Sequence, residues 1–598
     1  MYQKRQIKLL ASISAASQHV KTYVFACENS EIPNASLNLH RLPPLDAVRR
    51  ESFLSDYDEL VGKIAELNGK EPNFWYFSLG VQNVWNSRFY LLLEQLHRLL
   101  WLIEKDIAEE LPIEVFVADT GVFRELSLIL RLAGYEVEVV ERHGSWTVSH
   151  AKRAFSFARK VWNCLRYLGD LCRWQLIAET SAFYGEVIFV SVTSNDRLQH
   201  DPYRDFLLGS LPEEWEALGE GGVVFAHRIG ETRGVRAAEQ SFKSGLLVTG
   251  FGDLATWPDA LKCLVKAILI EIHVPQLNSS MLVDVSGFAK LDILGARLSE
   301  VAEALFYEQA IKRLRKQMPD AVIVHSWENQ CWEHACRRAA SFQVPTIGLQ
   351  HSALLSEHRK MRASIVPGID KPMPDTIIST GPHATSLLIT EFGHKPSRIV
   401  DGFDLRSEDL GEGRSNIERS GLRRRVLVLL QGLSSQVAFH NAVAVACAGL
   451  SGWQITLRPH PAVPLAENLE GSELSIKLDE VAVSQSCPLR DDLQNHDVVI
   501  YSGSTAAILA VGHGLPVIHF RDVSALGNDP LMGLHDMVQR VESGMEMVDV
   551  CEKLLLVGED VLKLERVRAA EYVSRYFRPR QPAYVDAVFA EFKRNRPS

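Results

Sequence analysis

The chain has 598 residues, more than one ordinary domain needs, so two large domains are expected. Apolar residues make up 46% and charged residues 23%, which excludes a mainly disordered chain and allows sizeable cores without disulfides or metals. A net charge of −10 argues against a general nucleic-acid binder, so no nucleic-acid partner is expected.

The nine cysteines are odd in number, widely spaced and without a C-x-x-C pair. That pattern fits a reduced, cytosolic chain rather than a disulfide framework or a zinc site. The opening stretch MYQKRQIKLLASISAASQ has basic residues before a short apolar run. Its core at 9–13 is weak for a signal peptide, and His19 and Lys21 follow soon after. No stretch reaches the roughly 18 uncharged apolar residues of a spanning helix. The expectation is a cytoplasmic chain that at most touches a membrane surface.

Short apolar runs alternate with helical patterns, the signature of α/β architecture with parallel sheets. In the first half the predicted strands are 22–26, 73–77, 113–118, 136–140, 187–192, 223–227, 321–324 and 346–349. Helices are predicted at 89–107 and 124–133. In the second half the strands are 376–379, 426–430, 453–457, 475–478, 498–501 and 516–520, with helices at 436–450 and 505–512. That rhythm fits a complete Rossmann-like domain. The stretch PGIDKPMP at 367–374 reads as a linker, because proline disfavours helix continuation. The expected division is an N-terminal Rossmann-like domain over 1–370, a C-terminal one over 375–560, and a helical tail over 561–598 that is a candidate to cross back to the first domain.

Two motifs carry the chemistry. Arg458, Pro459, His460 and Pro461 follow the strand WQIT; Ser502, Gly503, Ser504 and Thr505 stand between the strand VVIY and the helix AAILAVG. A strand–turn–helix junction points backbone N–H groups outward at a helix N-terminus, where the dipole favours an anion. Gly503 allows close backbone approach, and Ser504 and Thr505 add hydroxyl donors. His460, held between prolines, is placed to hydrogen-bond a phosphate and stabilise a leaving nucleotide. Both motifs lie at carboxyl ends of strands, where open α/β sheets take ligands. The plain alternative is a helix cap and a turn histidine. Gln431 and Gly432 open a third such loop, after the strand VLVLL.

At these residues the chain resembles bacterial GT-B surface-polysaccharide glycosyltransferases. The RPHP and SGST pair is similar to the HP and Ser/Thr motifs of CMP-sugar enzymes, such as sialyltransferases and capsule Kdo transferases. The resemblance implies that His460, Ser504 and Thr505 contact a CMP phosphate. A wider likeness, to a family of surface carbohydrate biosynthesis proteins, runs through WENQCWE at 327–333, TIGLQHS at 346–352, FWYFSLGVQNVWNSRF at 74–89 and DPYRDFLLGSLP at 201–212. It implies a role in lipopolysaccharide or capsule assembly. TAAILAVGHGLP at 505–516 contains no acid, unlike the glutamate pair that binds ribose in many UDP- or GDP-sugar enzymes, and this favours CMP-sugars.

Sugar transfer needs a general base or a carboxylate nucleophile. Asp119, after the strand EVFVA, and Glu328, after AVIVHSW, are the candidates; each alternatively caps a helix or forms an ion pair. Glu125, Gln350 and His351 are candidates to bind acceptor or donor. No metal site and no cofactor are expected. Residues 150–175 carry six basic side chains against Asp170, a balance of +5, beside Phe155, Phe157, Trp162 and Trp174. This basic amphipathic insertion reads as an interfacial helix for anionic lipid, or else as a helix packed on its own domain with a charged outer face.

The combined expectation is a GT-B fold of two Rossmann-like domains facing across a cleft. The partners would be a nucleotide-sugar donor, CMP-sugar favoured, a glycan or lipid-linked glycan acceptor, and an anionic membrane surface on the inner face of the cytoplasmic membrane. The rivals are a UDP-sugar or CDP-alcohol transferase of the same fold and a non-catalytic scaffold in glycan assembly.

Overall fold

The structure, a computed structural model, describes residues 6–10, 22–25, 39–43, 45–83, 87–105, 113–117, 119–140, 146–173, 183, 185–193, 205, 207–228, 247–280, 283–340, 344–355, 358–405, 424–431, 436–460, 463–469, 472–475, 481–484, 489–522, 529–531, 534, 538–554, 556–557 and 559–595. Within these, three parallel sheets form.

The first contains β1 (Gln6–Leu10), β2 (Thr22–Val24), β3 (Leu39–Arg41), β4 (Ile113–Phe116) and β5 (Glu136–Val140), in the order β3-β2-β4-β1-β5. The second contains β6 (Val187–Thr193), β7 (Gly222–Arg228), β8 (Leu247–Thr249), β9 (Val322–Trp327), β10 (Thr346–Gln350), β11 (Thr376–Ser379) and β12 (Ile399–Asp401). Its order is β12-β11-β10-β9-β6-β7-β8. The third contains β13 (Arg425–Leu429), β14 (Gln454–Arg458), β15 (Ala482–Val483), β16 (Val498–Tyr501), β17 (Val517–Phe520) and β18 (Val538–Val541). Its order is β15-β14-β13-β16-β17-β18.

The central strands read as continuous apolar runs because both their faces are covered. Val426, Leu427 and Val428 are fully buried, as are Ile188, Phe189 and Val190. In the second and third sheets the chain runs outward one way from the first strand, returns, and runs outward the other way. Both are therefore doubly wound, Rossmann-like sheets of an α/β protein, the class expected from sequence. In the second sheet the reversal falls between β6 and β9, and in the third between β13 and β16.

Several expectations need correction. The first sheet is a separate sheet inside 1–370, and its interior strand β1 comes from the stretch weighed as a signal peptide. Ile7 and Leu9 are buried there because β4 and β5 flank them. The strand expected at 73–77 is a 3-10 turn, Pro72–Tyr76. Pro72 starts it, and Phe74, Trp75 and Tyr76 are all buried, Phe74 edge-on to Trp75, a pattern that a short apolar run does not distinguish from a strand. The stretch 367–374 joins β10 to β11, adjacent paired strands of one sheet, so it is a crossover rather than a domain linker. Sheet membership changes later, between β12 and β13. The strand expected at 475–478 is not formed at Ser475, which lies in a helical turn, and 476–478 lie outside the described residues; the edge strand is Ala482–Val483.

Two tail helices tie the second and third sheets together. Helix Glu559–Tyr576 packs Ala569, Val573 and Tyr576 on the third sheet. Helix Pro582–Arg594 packs Val585, Val588, Phe589 and Phe592 against Phe189, Trp215 and Ile347 of the second.

Candidate functional site

The third sheet gathers the motif residues at one edge. Leu429 of β13 lies beside Arg458 of β14 on one side and Tyr501 of β16 on the other. The loops that follow these strands therefore emerge together, at the carboxyl edge and around the reversal point. They hold Gln431, His460 and Ser502–Thr505. Gly432 and Pro461 lie outside the described residues. Ser502 is buried, whereas Gly503, Ser504, Thr505 and His460 are half-buried, so their polar groups reach the crevice. Ser504 Oγ accepts from Ala506 N at 3.3 Å and closes the first turn of the helix Ala506–Gly512.

Residues that sequence reasoning missed stand behind this loop. His519 Nε2 donates to the Ser502 carbonyl at 2.8 Å. Tyr501 Oη donates to Asp529 at 2.7 Å, and Arg540 donates twice to the same carboxylate, at 3.0 and 2.8 Å. Burial keeps the His519 ring below its usual pKa. This network fixes the strand end from which Ser502–Thr505 projects. A scatter of isolated polar residues in sequence gives no sign of it.

Arg458 does not project into the crevice as a free cation. Its guanidinium is bound to buried Asp492, which also accepts from Ser484 Oγ at 2.6 Å. The expected phosphate ligand is thus a strut that sets the start of the His460 turn. Gln431 accepts at its side-chain oxygen from Gln436 and at its carbonyl from Asn468 Nδ2 at 2.5 Å. Gln436 Oε1, Asn468 Oδ1 and both ring nitrogens of His440 are buried with no hydrogen-bond partner among the described residues. Burial pulls His440 down to about 4, so its ring is neutral at ordinary pH.

The second sheet supplies a different chemistry. Glu328 follows β9, and Gln350 and His351 stand at the end of the neighbouring β10, in register Gln350 beside Trp327. Glu328 pairs with His351 Nε2 at 3.2 Å and with Lys360 Nζ at 3.3 Å, and accepts from Gln330 Nε2 at 3.1 Å. Burial opposes its charge, but Lys360 and His351 outweigh that and hold its carboxyl well below the usual range. Glu333 is the opposite case. Burial and the nearby Glu328 charge push it up to about 8, although it accepts backbone N–H bonds from Glu328 and Gln330. Asn329 makes the tight turn between them with φ of 59°, a left-handed conformation that Asn tolerates.

His351 is buried, and its Nδ1 has no hydrogen-bond partner among the described residues. In the neutral tautomer whose Nε2 donates to Glu328, Nδ1 carries a lone pair. Gln350 is spent on structure: its oxygen accepts from Thr380 N at 3.1 Å and its amide donates to Ser352 O at 2.8 Å. The segment beyond His351 reaches toward the third sheet. Ala353 joins the apolar cluster of Tyr501, Ala507 and Ile508, and Leu354 exchanges backbone bonds with Tyr576 Oη.

Asp119 and Glu328 were expected at one sheet; they belong to different ones. Asp119 caps the helix Thr120–Leu132, accepting from Gly121 N at 2.7 Å and Val122 N at 3.0 Å, while its other oxygen binds Arg88 at 2.7 Å. Burial opposes its ionisation, but the Val122 N–H and Arg88 hold it below its usual value. Both oxygens are occupied, so the cap and ion-pair alternative describes it. Glu125 lies one turn on and packs against Gly287, away from the Glu328 cluster. Among the described residues, no group of three or more His, Cys, Asp or Glu could hold a metal ion, and no helix is long and apolar enough to cross a membrane.

No protein-family model matches the chain, and no curated protein matches it. Solved structures do align. The glycotransferase of kitacinnamycin covers 69% of this chain and 99% of its own, at 15% identity and a TM-score of 0.39. The glycosyltransferase SnogD from Streptomyces nogalater covers 68% of this chain and 100% of its own, at 17% identity and a TM-score of 0.37. HepE from Anabaena, solved in complex with UDP, covers 68% of this chain and 99% of its own, at 13% identity and a TM-score of 0.37. Likeness at these levels carries no inference about activity.

Proposed function

We propose that the chain is a GT-B-type glycosyltransferase that takes a nucleotide-activated sugar and passes it to a surface-glycan acceptor, without a metal. The observation that carries this reading is the convergence of three loops at the reversal point of a doubly wound sheet, in register at Leu429, Arg458 and Tyr501. Open α/β sheets bind nucleotides at that point. His460 and the hydroxyls of Ser504 and Thr505 then face the donor phosphate, and buried Gln436 and Asn468 offer acceptor oxygens to donor hydroxyls.

The favoured donor is a CMP-activated ulosonic acid, Kdo or a nonulosonic acid. The support is the RPHP and SGST pair together with the acid-free stretch 505–516. The acceptor hydroxyl loses its proton to His351 Nδ1. Glu328 fixes the productive tautomer and stabilises the positive charge that develops on the ring and on the sugar. A carboxyl held well below its usual range is a poor base but a good counter-ion, which is why the base role falls to His351.

The test is a thermal-shift series with CMP and UDP, followed by transfer assays with the corresponding activated sugars. CMP should raise the midpoint and UDP should not. Stabilisation by UDP alone would move the donor to a UDP-sugar. No stabilisation and no transfer with any activated sugar would leave the non-catalytic scaffold.

A further inference from the structure

Two helices cover one face of the second sheet and leave their outer sides bare. Helix Trp146–Arg173 buries Cys164, Leu168 and Leu171, and helix Trp257–Leu269 buries Ala260, Cys263, Leu264 and Ala267, in the same cluster as Ile188 and Phe225. Their outer faces are not ordinary solvent faces. On the second helix, Trp257, Leu261, Val265 and Leu269 recur every four residues and form one continuous stripe, 50% exposed at Trp257 and 71% at Leu269. A four-residue period keeps these side chains on one side of a helix. Trp257 rests over Gly169 of the neighbouring helix, where an added Cβ would meet its ring at 2.8 Å. Trp162, two turns before Gly169, is 66% exposed. The stripe and Trp162 thus lie on one two-helix surface, beside a groove of about 600 Å³ lined by Leu261, Val265 and Leu269.

The exposed charge on these two helices is mainly positive, with Glu271 just beyond the stripe and Glu71, bonded to the groove residue Asn73, as the neighbouring exposed acids. Arg159, Lys160, Arg166 and Arg173 are exposed on the first helix, and Lys262 and Lys266 on the second. The acids of the two helices are Asp170, 3.5 Å from Arg173, and Asp259, buried against Arg313. Lys152 and Arg153 belong to the first helix, but their side chains lie outside the described residues. A chain of net charge −10 has therefore set an exposed apolar stripe on helices that carry six exposed cations.

We infer that this two-helix face docks on the surface of an anionic lipid bilayer, with Trp162, Trp257, Leu261, Val265 and Leu269 entering the headgroup boundary. Aromatic and aliphatic side chains belong at that depth, and flanking Lys and Arg meet the lipid phosphates. Charge complementarity selects this occupant over a second copy of the chain. A two-fold contact would set the six cations against themselves. The inference rests on this surface alone and does not depend on the donor site.

The test is co-sedimentation of the full chain with phosphatidylcholine vesicles, with and without about one-third phosphatidylglycerol, at low and high salt. The wild type should bind only the anionic vesicles and be released by salt. Arg159→Glu/Arg166→Glu/Lys262→Glu should weaken binding at least tenfold, since each basic side chain is worth about fivefold. Leu261→Ser/Leu269→Ser should weaken it as well, and both variants should keep the wild-type melting midpoint and activity on a soluble acceptor. Brominated lipid should quench wild-type fluorescence more than that of Trp162→Phe/Trp257→Phe. Failure of the wild type to bind at low salt, or equal binding by wild type and variants, overturns the inference. So does a concentration-dependent dimer that Leu261→Ser/Leu269→Ser disperses, which would place a second copy on this face.

Discussion

At the scale of single residues, environment separates carboxylates that look alike in sequence. Glu328 is held ionised by Lys360 and His351, while Glu333, five residues on, is pushed toward its neutral form. Glu328→Gln should fold and bind nucleotide, yet lose turnover by about 10²-fold or more, and His351→Ala should do the same. Full turnover in both variants at saturating donor would remove the pair from the chemistry. Asp119→Asn should behave differently, with turnover kept and stability lowered by only about 0.2–1 kcal/mol, since asparagine caps a helix about as well as aspartate and the loss is the ionic bond to Arg88. Its folded pKa lies below the usual 3.8 of an aspartate, so its stabilisation is present above that value and lost as pH falls through the lower folded one. Denaturant unfolding should therefore separate wild type from Asp119→Asn at neutral pH and bring them together in strong acid. For Glu333 the sign reverses. Its folded pKa of about 8 exceeds the unfolded 4.5, so the folded state holds the extra proton between them and stability falls as pH rises through that window. Glu333→Gln should flatten that fall.

At the scale of elements, the crevice loop is only as rigid as the strand end behind it. Tyr501, His519 and Arg540 converge on Asp529 and on the Ser502 carbonyl. Tyr501→Phe removes one buried hydrogen bond and should cost about 1 kcal/mol, with Asp529 keeping Arg540 as a partner. Asp529→Asn leaves Arg540 without its counter-charge and should cost more, up to about 3 kcal/mol. Because neither side chain projects with Ser504 and Thr505, the expected signature is weaker nucleotide binding together with faster amide exchange over 501–506. Unchanged exchange in Asp529→Asn would show that the loop holds its shape without the network.

At the scale of the whole molecule, the last two helices make the second and third sheets interdependent. Phe592 is fully buried beside Phe189 and Trp215, and Phe592→Ala should cost about 3–5 kcal/mol. Tyr576 bridges to both backbone groups of Leu354, next to the segment that carries His351. Tyr576→Phe strands a buried N–H and C=O and should cost about 1–3 kcal/mol. Its further effect should be on turnover rather than on nucleotide affinity, since the contact ties the His351 side of the site, not the His460 side, to the tail. Equal losses in both quantities would show that the tail holds the molecule together without setting the site.

The amino-acid sequence by itself determined the strands β13, β14, β16 and β17 and the motif loops after them. Each is a short, continuously apolar run bounded by turn residues, and local patterning is enough to mark a strand buried on both faces. It also marked residues 150–175 as a basic amphipathic stretch. Only the tertiary structure decided what each side chain is spent on. Arg458 looked like a phosphate ligand until Asp492, thirty-four residues on, took its charge. Asp119 looked catalytic until Arg88 and the helix start used both its oxygens. His351 meets Glu328 only because β9 and β10 are neighbours in the sheet. The first sheet was legible only in part: β2, β4 and β5 were expected, but β1 lay in the stretch weighed as a signal peptide and β3 is three residues long with little pattern. The exposure of the stripe at Trp257–Leu269 follows from which face of that helix the second sheet leaves uncovered. Periodicity records which residues are apolar, but what they face is set by contacts between distant parts of the chain.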